Sequence, residues 1–148
     1  METTQLCRDL TKYSSCDIAD ALGKLGVPNC GFIPDLTLWS PHRQQGHTRI
    51  VGPAYTVKYE YGSAPQGGAG EQQQPHYVNG DVSCRQGEAT LIIHPGDILL
   101  GDLCGVICIS RSLAQDALEL VETLARTESQ LAEAIDQGMS MTEASKLR

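Results

Sequence analysis

Pro95-Gly96-Asp97-Ile98-Leu99-Leu100-Gly101-Asp102-Leu103-Cys104-Gly105-Val106-Ile107-Cys108-Ile109 alternates turn chemistry with short apolar runs. In Pro95-Gly96-Asp97, proline presets φ, glycine accepts a positive φ and aspartate bonds its own backbone. Ile98-Leu99-Leu100 is short and wholly apolar, as expected of a buried strand. Gly101-Asp102 marks a second turn, and Gly105 through Ile109 is a second apolar run rich in β-branched residues. A ribbon this apolar needs cover on both faces, and the rest of the chain is expected to supply it.

The 148 residues suit one domain, 1–148, of mixed α/β class. A domain of that size buries about 68–70% of its unfolded surface, enough for a hydrophobic core. The net charge of −7 argues against nucleic-acid partners and anionic membranes. No apolar run approaches the roughly 20 residues of a membrane span. The start, Met1-Glu2-Thr3-Thr4-Gln5, lacks a basic segment followed by an apolar one, so a cytoplasmic location is expected. Cys7, Cys16, Cys30, Cys84, Cys104 and Cys108 are expected as reduced thiols, with Cys104 and Cys108 inside the buried ribbon. No Cys-x-x-Cys pair supports structural zinc.

Two N-terminal helices are expected. Leu6 and Leu10 give residues 3–13 an amphipathic stripe. Ser14 with Asp17 makes an approximate capping box for a helix carrying Ile18, Ala21, Leu22 and Leu25, which Gly26 and Pro28 stop. Asp17 and Asp20 lie where the helix dipole favours negative charge. Trp39 is expected on the core, and His42 and His47 in a solvated loop. From Arg49 to Tyr61 the period of two predicts one half-exposed strand, with Tyr55, Val57, Tyr59 and Tyr61 on one face and Thr56, Lys58 and Glu60 on the other. Residues 62–75, rich in Gly and Gln, are expected as a flexible loop; no Gly-Lys-Ser/Thr follows that would make them a phosphate loop. Asn79-Gly80 reads as a turn, and Val82-Ser83-Cys84 and Ala89-Thr90-Leu91-Ile92-Ile93 as strands leading to the ribbon. His94 has no partner carboxylate in view in the sequence. Ser112 with Gln115 predicts the cap of a long C-terminal helix. Its apolar positions are Leu113, Ala117, Leu120, Val121, Leu124, Leu131, Ala134 and Ile135, and it ends at Gly138 before a weaker helical tail. Asp116, Glu119, Glu122, Glu128 and Glu133 form mostly a solvated face.

Three segments in this order resemble one family: Ser14-Ser15-Cys16-Asp17-Ile18-Ala19-Asp20-Ala21-Leu22, Arg49-Ile50-Val51-Gly52-Pro53-Ala54-Tyr55-Thr56-Val57, and the ribbon from Pro95-Gly96-Asp97 to Gly105-Val106. They are similar to the RraA-like family, the 4-hydroxy-4-methyl-2-oxoglutarate and 4-carboxy-4-hydroxy-2-oxoadipate aldolases and their fungal relatives. The resemblance implies a swivelling β/β/α sandwich, here shortened, with N-terminal helices and a long C-terminal helix. It implies a homo-oligomer, a trimer with the active site between subunits, and a divalent cation, Mg²⁺ or Mn²⁺. The implied reaction is metal-dependent aldol cleavage of 4-hydroxy-2-oxo acids, or decarboxylation of oxaloacetate, through a pyruvate enolate. By resemblance, Glu128 matches a helix carboxylate that reaches a neighbouring subunit's metal through water, and Asp17 and Asp20 belong to the fold's N-terminal helix. The chain departs from the family near residues 78–82, where a central block is missing that is larger than one βαβ unit of about 30 residues. That block carries the Arg-Asp pair for substrate and metal; the pair Arg8-Asp9 lies in the wrong element. Two alternatives follow: a non-catalytic, shortened relative without need of a metal, either a module that binds a protein partner or a splice or gene-model fragment, and a phosphohistidine carrier using His94.

Overall fold

The computed structural model describes residues 2–36, 48–60, 76–78, 80–86 and 89–145. Trp39, His42, His47, Tyr61, Asn79 and the 62–75 segment lie outside them. The architecture is mixed α/β: antiparallel sheets, two N-terminal helices and a long C-terminal helix.

The ribbon forms as two antiparallel strands, β7 (Ile98–Gly101) and β8 (Val106–Ile109), with Ile98 opposite Ile109 and Leu100 opposite Ile107. They sit at the centre of a four-stranded sheet, flanked by β1 (Phe32–Ile33) on β8 and β2 (Ile50–Pro53) on β7. Both faces are covered. Ile98, Leu100, Ile107 and Ile109 meet the helices α1 (Thr3–Leu10), α2 (Ser15–Lys24) and α3 (Ala114–Asp136) through Leu6, Leu10, Ile18, Leu22, Ala117 and Val121. Leu99, Val106 and Cys108 face the other way, onto Ile33, Ala54, Leu91 and Ile93. Each fully buried Ile or Leu side chain stabilises the fold by about 1.5–3 kcal/mol, and Ile98, Leu100, Ile107 and Ile109 are all of this kind.

The Arg49-to-Tyr61 strand is broken. Its first part, β2, is an edge strand paired with β7; its last part, β3 (Lys58–Glu60), pairs with β4 (His76–Val78) in a separate sheet. Pro53 explains the break, because it has no N–H for a ladder and suits the end of an edge strand. Ala54 is then held by the ribbon's turn instead: its N–H donates to the Asp97 carbonyl at 2.6 Å, and its carbonyl accepts from the Gly96 N–H at 3.0 Å. Alternation persists here, with Ala54 and Thr56 buried and Tyr55 and Val57 exposed. The two strands expected before the ribbon pair with each other, β5 (Val82–Gln86) antiparallel to β6 (Ala89–Ile93).

Both long helices end as their glycines predict. The Val27 and Gly26 N–H groups donate to the Leu22 and Gly23 carbonyls, and those of Met139 and Gly138 to the Ala134 and Ile135 carbonyls. These are paired Schellman bonds around a glycine of positive φ. The start of α3 differs from expectation. Its N-cap is Leu113, with no side-chain cap. Ser112 is diverted to Ser110, Oγ to Oγ at 3.0 Å, and the turn is held instead by Asp97 Oδ1, which accepts from the Arg111 N–H at 3.0 Å. Only the first half of α3 is packed, through Ala114, Ala117, Leu118 and Val121; Leu131 and Ala134 are half-buried and Ile135 is exposed. The weak tail signal is a short α4 (Met141–Ala144) with its own capping box from Ser140 and Glu143. None of the described helices is long and apolar enough to cross a membrane.

Candidate functional site

The first turn of α2 serves two carboxylate systems, one on each side. On the outer side Asp17 and Asp20, three residues apart, share a helix face. Helix α3 packs alongside α2 and brings Glu128 to the same place, so Asp17, Asp20, Val121, Leu124, Ala125 and Glu128 line one narrow cleft. This cleft continues into an open groove of about 350 Å³ bounded by Asp20, Gly23, Lys24, Cys30, Leu124 and Glu128. The three residues singled out from sequence therefore meet along one groove. Cys30 borders it with a positive φ of 54°, in a left-handed turn that begins at Asn29 (φ 49°).

The three carboxylates are not equivalent. Asp17 is engaged: its Oδ2 accepts from the Ser14 N–H at 2.8 Å and the Ser14 hydroxyl at 2.7 Å, while its own N–H donates back to Ser14 Oγ at 3.2 Å. This is the expected capping box. Asp20 and Glu128 are exposed, and Lys24 supplies the groove's cation. Among the described residues, no three His, Cys, Asp or Glu side chains stand close enough to share a metal ion.

On the inner side lies the residue that sequence reasoning passed over. Asp102 is 8% exposed. Its Oδ2 accepts from the Ser15 N–H at 2.8 Å, and its Oδ1 from the Ser15 hydroxyl at 2.6 Å and the Cys104 N–H at 2.9 Å. Arg49 pairs with it, Nε to Oδ2 at 3.8 Å, while Arg49 Nη1 donates to the Thr11 carbonyl at 2.7 Å. Burial pushes the Asp102 carboxyl up. The Ser15 hydroxyl and amide, the Cys104 amide and the Arg49 charge outweigh that and hold it below the usual carboxylate range. The available signal was the placement of an aspartate inside the most apolar stretch, since a buried carboxylate demands partners.

Two sequence expectations change at the ribbon's margins. Cys104 lies in the turn after Asp102 and is exposed, because the two apolar runs are joined there by a reversal; Cys108 is buried as expected. His94 does have a carboxylate: its Nδ1 lies 2.8 Å from Asp81 Oδ1, and that hydrogen bond, with the Asp81 charge, raises its pKa above the ordinary imidazole value. Asp81 lies 13 residues away, beyond any local pattern.

No family model matches the chain, and no curated protein does. The fold is shared with a solved structure of an uncharacterized protein from Pseudomonas syringae pv. tomato str. DC3000. The TM-score is 0.68 at 18% identity, over 100% of this chain and 98% of that one. At that identity the likeness concerns the fold alone.

Proposed function

We propose that this chain is an RraA-like protein, built on the scaffold of lyases that cleave 4-hydroxy-2-oxo acids or decarboxylate oxaloacetate to pyruvate with a divalent cation. One observation carries the reading. The three segments on which the resemblance rests converge on a single carboxylate: Ser15 from the first and Arg49 from the second both bind Asp102 of the third. In this reading Glu128, exposed on α3 beside Asp20, would be the carboxylate that reaches a neighbouring copy's divalent cation, whose chemistry would be stabilisation of the enolate.

A second reading has its own observation. Mg²⁺ usually takes one or two direct carboxylates plus water and substrate oxygens. Asp17 is engaged in its cap, and among the described residues no three candidate ligands meet. The only adjacent Arg-Asp pair in the sequence, Arg8-Asp9, lies in α1, where Asp9 bonds Lys12 and Gln5. The described residues do not fit a directly bound Mg²⁺ or Mn²⁺. The net charge of −7 supports the second reading, a shortened relative that binds a basic protein partner.

Pyruvate release decides between them. The chain is supplied with oxaloacetate and Mg²⁺ or Mn²⁺, and the rate with metal alone is subtracted. The lyase reading expects turnover that falls about 10–100-fold in Glu128→Gln, as for loss of an outer-sphere carboxylate. No rate above the metal background leaves the binding reading.

A further inference from the structure

We propose that Cys16 and Cys104 form a dithiol site that hydroperoxides convert into an intramolecular disulfide, tying the first turn of α2 to the β7–β8 turn. The geometry is set by Asp102. Its carboxylate accepts from the N–H and hydroxyl of Ser15, which directly precedes Cys16, and from the N–H of Cys104 itself. One buried anion therefore fixes both backbones, 88 positions apart, at the same point. Both cysteines are exposed, and the Cys104 side chain neighbours that of Cys16. The other described thiols are placed differently. Cys7 and Cys108 are buried in the core, and Cys30 is half-buried in the left-handed turn beside Gly23.

The chemistry divides between the two sulfurs. Partial burial pushes the Cys16 thiol up, and the Cys104 thiol and the Asp102 charge push it the same way. Cys104, exposed in the β7–β8 turn, meets the oxidant, and Cys16 closes the bridge. The Cys104 thiolate attacks one peroxide oxygen. The O–O bond breaks, hydroxide leaves and takes up the thiol proton as water, and a sulfenic acid remains. The Cys16 sulfur then attacks that sulfur, the S–S bond forms, and the S–O bond breaks. The departing hydroxide collects the Cys16 proton as a second water. Two thiols lose two electrons, and one hydrogen peroxide becomes two waters.

The test uses the full chain, reduced, freed of reductant and treated with hydrogen peroxide. It is then alkylated, digested without reduction and read by mass spectrometry. The expected product joins the peptide containing Cys16 to the one containing Cys104. It is reversed by dithiothreitol and absent from Cys16→Ser and Cys104→Ser. Because the bridge closes a long loop, the oxidised chain is expected to melt roughly 5–10 °C higher than the reduced one. Full alkylation of both cysteines after peroxide would overturn the proposal. So would sulfinic acids without a bridge, or bridges only between separate chains.

Discussion

Asp102 and Glu128 are both carboxylates near α2, and they differ in everything that decides what a carboxylate does. Asp102 is buried, with three hydrogen bonds and an arginine, and its lone pairs are spent on the fold. Glu128 is exposed on an open groove opposite Asp20, with its oxygens available. Asp17 stands between them, half-buried and engaged with its own helix end. The contrast separates holding the molecule together from meeting a ligand. The hydrogen-bond donors around each group make that separation, since both are carboxylates of the same charge.

The largest expected effect is at Asp102. Replacement by alanine leaves the Ser15 hydroxyl and two amides without their acceptor and Arg49 without its ion-pair partner, and is expected to cost about 3–5 kcal/mol, read from the urea midpoint at unchanged slope. A loss below about 1 kcal/mol, the value of an ordinary hydrogen bond, would remove the distinction between the two sites.

The same carboxylate sets a pH dependence. Its folded pKa lies below the unfolded value, so its stabilisation is complete above the unfolded aspartate pKa of about 3.9 and is lost as pH falls through the lower, folded value. Wild-type stability should therefore decline more steeply on acidification than that of Asp102→Asn. Parallel acid profiles for the two proteins would show that Asp102 is not held ionised.

A smaller change is expected at Asp17, where alanine removes the capping box and costs about 1 kcal/mol, measurable by the same unfolding experiment. The smallest stability effects belong to Asp20→Asn and Glu128→Gln, within about 0.5 kcal/mol of wild type. Those two substitutions should act on pyruvate release or partner binding alone. A Glu128 variant as unstable as the Asp102 variant would make the groove part of the core.

Much of the fold was legible because its signals are local. The Ile98-Leu99-Leu100 and Val106-Ile107-Cys108-Ile109 runs, the Ser14–Asp17 box and the glycines at 26 and 138 each act through neighbours within a few residues. The misread places are those where a distant residue took over a local partner. Asp97 holds the Arg111 amide while Ser112 turns to Ser110, and the Gly96-Asp97 turn captures Ala54 just after Pro53. The groove was half legible. Asp17, Asp20 and Glu128 could be named from sequence, but which of them stays available depends on hydrogen bonds seen only in three dimensions.

By itself the sequence determined the central ribbon, the amphipathic helices around it and where those helices stop. Apolar periodicity and backbone stereochemistry act over one or two turns of chain. Only the tertiary structure decided that Ser15, Arg49, Asp102 and Cys104 meet, and that α2 and α3 share an acidic groove. The first of these joins Ser15 to Asp102, 87 residues apart, and is fixed by the need of one buried carboxylate for partners, which no local pattern encodes.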